Sequence, residues 1–472
     1  MARTPLGQSL ARLAAQHRAA DALDLPLAGV QALSAAELRE GLSRRGLLTG
    51  AAVVVGAAVL GELPTAARAA SSRRIAIVGA GIGGLSAALR LQDSGVTSTV
   101  YEANSRIGGR MYSNTTTWAQ GQVSEWGGEL VDTGHKTIQA LARRFNIPLD
   151  NLVQAEPSSA EPTYFFGGAY YPFSTATSDF QAVHQAVTND LHTFTWPVTW
   201  DSHTAEGVAL ANLSIYDWIE TRVPGGHASN MGKLLDVAYN IEYGGETRDQ
   251  TSLNLLGLLG YQPSPGNFSI FGLSDEKYHL RGGNQQLPAA IAAALPAGSI
   301  STGWTLTKLA QNANGTQTLT FTVGGSTRTV TADHTILALP IGVLQTLDFT
   351  AARFDSRKTG QIASMRMGSN AKLQLQFSNR LWNQTGSWPG VSNGESYADT
   401  GYQNTWDVTR AQSGSQGILV DYTGGNLAGA FNAGTPFSDQ TNTKVTAYAQ
   451  AFLKQVEPVF PGITAAWTGR AT

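Results

Sequence analysis

The chain has no cysteine in its 472 residues. Disulfides are therefore excluded, as are a thiolate nucleophile and any zinc site of the cysteine type. Eight histidines are scattered with no pair four positions apart, so no metal site can be read and none is expected. Charge is also scarce. Asp, Glu, Lys and Arg make up 14% of the chain and the net charge is −2, against a usual charged content of ~25%. Such a balance offers no argument for nucleic acid or for an anionic membrane surface. Long apolar runs are missing as well: the stretch 51–61 covers about 11 residues, where a stable membrane span needs ~20. No G-x-S-x-G elbow marks a hydrolase nucleophile. What is plentiful is apolar residues, at 42%, and glycine, at 52 residues. The first suffices for large cores, and the length suggests two or three domains.

The glycines are not evenly used. Ile75-Ala76-Ile77-Val78 is a buried-strand run, and it turns through Gly79, Gly81 and Gly84 into a helix. A second apolar run, 97–101, ends on Glu102. Strand, G-x-G-x-x-G, helix, strand and acid in this order form a dinucleotide-binding fingerprint in its required context. The first glycine permits the tight turn, the second lets backbone approach a pyrophosphate, and the third lets helix and strand pack closely. The pyrophosphate then rests on a helix N-terminus. Glu102 can accept from a ribose 2′-hydroxyl and would repel a 2′-phosphate. A second glycine pair, Gly108-Gly109, and then Arg110 follow at once. The arginine offers a planar fork to phosphate oxygens.

Glu102-Ala103-Asn104-Ser105-Arg106-Ile107-Gly108-Gly109-Arg110-Met111-Tyr112-Ser113 resembles the run E-A-x-x-R-x-G-G-R-x-x-[ST] of the flavin amine oxidase family, which includes monoamine, polyamine and L-amino-acid oxidases. Every fixed position matches. Further segments are similar to family elements: Glu125-Trp126-Gly127-Gly128-Glu129 to the Gly-Gly run beside the flavin ring, Arg281-Gly282-Gly283-Asn284 through Pro288 to G-G-x-x-x-L-P, and 333–344 to the strand and turn that leave the cofactor domain. The resemblance implies FAD, not NAD, held noncovalently because no cysteine is present. It implies contacts from Gly79, Gly81, Ile82, Gly83, Gly84, Glu102, Ala103, Gly109 and Arg110. It adds Gly127, Gly128 and Glu129 near the ring, and Leu306, on a strand read at 300–309, at the adenine. Lys372, which opens an alternating strand, takes the place of the family lysine that holds a water against flavin N5.

The implied fold is α/β, a Rossmann-type FAD-binding domain with an inserted α+β substrate domain. The cofactor domain is expected at 71–147 and 276–346, and the substrate domain at 148–275 and 347–472. Helices are read at 136–145, 214–222, 231–241 and 443–456, and a strand pair at 317–323 and 327–332 around Gly324-Gly325. The implied activity is oxidation of an amine. A hydride passes from its α-carbon to flavin N5, the imine hydrolyses to an aldehyde or oxo acid and ammonia, and oxygen is reduced to hydrogen peroxide. An L-amino-acid oxidase is the near alternative. Glu129 and Asp132 suit a cationic amine, or are solvated loop carboxylates, and an arginine such as Arg281 or Arg366 could reach a substrate carboxylate. A desaturase acting on a C–C bond, or an inactive subunit, are the more distant alternatives. In the family a third cofactor segment follows the point where this chain stops, at Thr472. The expectation is a truncated chain, completed by a partner chain or incomplete at the flavin, and a homo-oligomer.

Ser43-Arg44-Arg45-Gly46-Leu47-Leu48 resembles a twin-arginine export motif. The apolar stretch 51–61 and Ala67-Arg68-Ala69 complete a signal-peptide order. Residues 1–70 are therefore read as a leader, and the protein as exported.

Overall fold

The computed structural model describes residues 73–262 and 266–472. The leader read at 1–70 lies outside the described residues. The fingerprint strand Ile75–Val78 is the hub of a four-stranded parallel sheet. It pairs with Thr99–Glu102 on one side and His334–Leu337 on the other, and Ile300–Thr302 adds beyond Thr99–Glu102. Parallel strands buried on both faces read as continuous apolar runs, and Ile77 and Val100 are fully buried here. One face is covered by helices Ile82–Asp93 and Gln286–Ala294, through Leu85, Leu89, Leu287 and Ile291. The other carries an antiparallel meander, Trp304–Gln311, Gln317–Val323 and Ser326–Ala332, which packs Leu306, Leu319 and Phe321 against Ala76, Val78 and Tyr101.

A second, seven-stranded sheet runs in the order Trp467–Ala471, Asn370–Phe377, Gly417–Gly424, Asn404–Asp407, Val391–Ala398, Ala160–Phe166, Ala169–Tyr171. Its pairs are antiparallel except Val391–Ala398 with Ala160–Phe166. A helical layer gathers over Tyr164, Phe166 and Tyr397, including Phe173–Leu191, Ile215–Arg222, Asn230–Tyr243 and Ser252–Leu259. Thr443–Val456 packs Val445, Ala449 and Phe452 against Leu373, Leu375 and Phe377.

Local chemistry explains several boundaries. Ser214 caps its helix by accepting from the Asp217 N–H, and Asn442 caps Thr443–Val456 by accepting from Lys444. The helix read at 136–145 is Lys136–Arg144 and that at 231–241 is Asn230–Tyr243. The strand read as continuous over 300–309 is two. Gly303, at φ +73°, breaks it, so that Ile300–Thr302 joins the parallel sheet and Trp304–Gln311 leaves for the meander. Helices Phe173–Leu191, Ala205–Asn212 and Ser252–Leu259 stand within 148–275 where no helix was read from the sequence.

Candidate active site

Three glycine-rich segments lie side by side. Gly81 forms a bridge with Gly108, whose N–H donates to Ala80 O at 2.8 Å. The Gly128 N–H donates to Arg110 O at 2.8 Å. Two positions admit no side chain: a Cβ on Gly84 would stand 1.9 Å from Gly79 O, and one on Gly127 1.9 Å from Arg110 O. By contrast, a Cβ on Gly83 would meet nothing within 4 Å among the described residues. Open space thus faces the start of helix Ile82–Asp93, whose N-cap, Gly81, has no capping side chain. No side chain among the described residues caps its first N–H groups.

This track fits a dinucleotide. Glu102 Oε2 accepts from the Ala80 N–H and Oε1 from the Asn104 N–H, both at 2.8 Å, which fixes the carboxylate. Each oxygen keeps a lone pair for a ribose hydroxyl. Arg110 is exposed beside the track, with no ion pair to any described residue. Ile82 and Ala103 flank the open space on the helix start and the strand end. Leu306 is buried among apolar neighbours, so its side chain serves the core and only its backbone is left for a cofactor.

The track leads to Lys372. Gln374 Nε2 donates to Glu125 O at 2.8 Å, and Asn284 Nδ2 to Gly128 O at 2.9 Å and Glu129 O at 2.8 Å. The fully buried Glu125 carboxylate accepts from Ser113 Oγ and the Asn284 N–H, and lies 3.0 Å from His279 Nε2. The Gly282-Gly283-Asn284 turn therefore holds the run 125–129 in place. Lys372 Nζ donates to Gly127 O at 2.9 Å and to Glu129 Oε2 at 2.8 Å, and Trp406 Nε1 donates to Glu129 Oε1 at 2.9 Å.

From there a cavity of about 240 Å³ opens. Gly127, Gly128, Glu129 and Lys372 form one part of its wall, with aromatic faces from Phe271, Tyr397, Trp406 and Tyr422. Three further carboxylates line it: Glu242, Glu276 and Glu395. Burial raises all three above the ordinary carboxylate range. Glu276 is pushed up to about 8, by burial first and then by Glu395 and Glu242. It is also held in the left-handed region, at φ +43°, with its N–H donating to Asp132 Oδ1. The arginine in the wall, Arg410, is already paired with Glu156 at 2.7 Å.

The arginines considered from sequence do not line this cavity. Arg281 pairs with Asp150 and Arg366 is largely exposed, 3.9 Å from Asp249. Asp132 anchors a loop, accepting from the Ser274 hydroxyl and the Glu276 N–H, and is not in the cavity wall. Glu242, Glu276, Glu395 and Arg410 were missed by sequence reading. They fall outside the glycine motifs and reach the cavity from separate elements, so no local spacing marked them.

A parallel sheet carrying this glycine track, joined to a buried lysine and a cavity, defines a dinucleotide-dependent oxidoreductase. Residues 82–468 match the family described as flavin containing amine oxidoreductase, and the chain belongs to that family. Its cofactor is accordingly a flavin, FAD, which the residues of the track fit. Among relatives, an L-amino-acid oxidase of Pseudechis australis is 23% identical over 375 residues, 75% of this chain and 67% of its own. One of Siganus canaliculatus is 34% identical over 100 residues, 21% of this chain and only 18% of the relative's length. The fold is similar to that of cyclohexylamine oxidase from Brevibacterium oxydans IH-35A, with a TM-score of 0.67 and 19% identity, covering 85% of this chain and 84% of that one.

Proposed function

We propose that the chain is an FAD-dependent oxidase of cationic amines. One observation carries the reading: the cavity beside Gly127, Gly128 and Lys372 is lined by Glu242, Glu276 and Glu395, while its arginine is neutralised by Glu156. Burial and mutual repulsion hold these carboxyls towards their neutral form, so an entering ammonium is favoured by the charge it allows them to develop, whereas a carboxylate would add to the repulsion. Aromatic faces at Trp406 and Tyr422 supply further attraction for a cation and exclude water. FAD, when bound, would supply the acceptor for a hydride from the amine α-carbon and the route of its electrons to oxygen. The protein's own residues bind and orient: Glu102 and the helix start at Gly81 hold the dinucleotide, and Lys372 holds the 125–129 run beside the cavity. Export through the segment 43–69 belongs to the same proposal.

The L-amino-acid reading keeps one specific support, namely that Arg410 lines the cavity. The two separate in a single experiment. The purified protein, supplied with FAD, is given matched pairs of an amine and the L-amino acid bearing the same side chain, and ammonia and peroxide are measured. Cationic amines without a carboxylate are expected to be turned over at least about tenfold more efficiently. A preference for the amino acids replaces the leading reading with the second. FAD retention with no product from any substrate sinks both.

A further inference from the structure

A lysine ammonium has three protons to donate, and at Lys372 all three have acceptors within the protein. Gly127 O lies at 2.9 Å, Glu129 Oε2 at 2.8 Å and Glu125 O at 3.3 Å. The last bond is long, and Glu125 O is shared with Gln374 Nε2 at 2.8 Å. The carboxylate of Glu129 is closed in the same way. Its Oε2 takes Lys372 and its Oε1 takes Trp406 Nε1, while the ammonium also stands 5.1 Å from the Trp406 ring centroid. Both side chains are nearly buried, at 11% and 5% exposure. Burial pushes the Glu129 carboxyl up, but the charges of Lys372 and His279 and the bonds from Lys372 and Trp406 outweigh it and leave it below its ordinary value.

Within this wall, then, Glu129 is the group that cancels the charge of Lys372. Without it the buried ammonium would keep only the carbonyls of Gly127 and Glu125, and an anion entering the cavity would regain the lost counter-charge. Glu129 directly follows the Gly127-Gly128 pair, so its backbone position is set by the run that Asn284 clamps. We propose that Glu129 is a positioning and specificity-determining residue: it neutralises Lys372, fixes its ammonium on Gly127 O, and thereby bars carboxylates from the part of the cavity next to the glycine run. This rests on the reading that the cavity receives the substrate amine. It adds that amine selectivity is set by a pair, and that removing one charge converts the wall into an anion site.

The test uses the FAD-loaded holoenzyme and benzoate as the anion, with binding measured by titration calorimetry. The wild type is expected to bind benzoate only weakly. Glu129→Gln, which keeps the shape and the Trp406 bond, is expected to bind it with affinity at least about tenfold higher. The double variant Glu129→Gln, Lys372→Met is expected to lose that gain. In parallel, the ratio of kcat/KM for an amine over its matched L-amino acid is expected to fall at least about tenfold in Glu129→Gln. Equal benzoate affinity in wild type and Glu129→Gln, with FAD retained in both, overturns the proposal. So does a gain that persists without Lys372. Should Glu129→Gln not accumulate as folded protein, Glu129→Asp carries the test: with the charge kept, anion exclusion must persist, and benzoate binding there tighter than in the wild type refutes the proposal. Benzoate is read without turnover. A protein that oxidises no amine yet shows the Glu129→Gln anion site therefore overturns the function and the selectivity role, and leaves standing only the neutralisation of Lys372 by Glu129.

Discussion

Asp421 shows how a single residue can work against the fold. It sits in the strand Gly417–Gly424 at 2% exposure, and its Oδ1 has no hydrogen-bond partner among the described residues. Burial pushes its pKa from 3.8 to about 8. Between those values the folded protein holds a proton that the unfolded chain has released. Stability is therefore lost as pH rises from about 4 to about 8. Asp421→Asn removes that dependence. Thermal melts are expected to show the variant gaining on the wild type as pH rises, by about 2 kcal/mol at pH 8, below the full linkage value because a buried amide has its own cost. A gap that does not widen with pH refutes the assignment. Glu129 and Lys372 are the opposite case. There two buried charges satisfy each other, and the sequence reading, which placed Lys372 by its strand start, had no means of pairing it with a residue 243 positions away.

At the level of elements, the fingerprint was legible because its requirements are consecutive. Strand, tight turn, uncapped helix start and acid all lie within 28 residues of one another, from Ile75 to Glu102. The closeness of helix and strand can be tested at two neighbouring glycines. Gly84→Ala places a methyl against Gly79 O, so overpacking is expected to cost about 3 kcal/mol and to abolish FAD retention. Gly83→Ala meets no other described segment within 4 Å and gains helix propensity. Its apoprotein melting temperature is expected to stay at or slightly above that of the wild type. Equal melting temperatures for the two apoproteins would show that the contact does not matter. The helix Phe173–Leu191 was missed for a physical reason. Its buried positions Ala176, Phe180, Val183, Val187 and Leu191 follow a helical stripe, but Ser and Thr crowd its first turns and favour turns and caps elsewhere. Ser252–Leu259 is a short apolar run, which periodicity alone leaves undecided.

For the whole molecule, binding and stability are coupled. Helix start, second glycine pair and Gly127-Gly128 form one track only when the chain is folded, so a ligand along it binds the native state alone. FAD is expected to raise the melting temperature, by an amount equivalent to about 2.7 kcal/mol at roughly 100 times Kd. NAD is expected to give no comparable rise. An equal response to NAD would mean that the fingerprint does not select the flavin. Residues 71–147 with 276–346, and 148–275 with 347–472, were read as two discontinuous domains. The parallel sheet draws its strands from the first pair and the seven-stranded sheet from the second.

Order along the chain was enough for the cofactor end. A glycine turn, a helix start and an acid act through backbone geometry over a few residues, and such geometry follows from local chemistry. The cavity was decided by tertiary structure. Glu242, Glu276, Glu395 and Arg410 become one electrostatic environment when separate elements bring them together and burial removes the water between them. In the same way, Asp132 turned out to be a loop anchor and Glu129 the counter-charge of Lys372. In sequence the two acids are equivalent; depth and partner are properties of the fold.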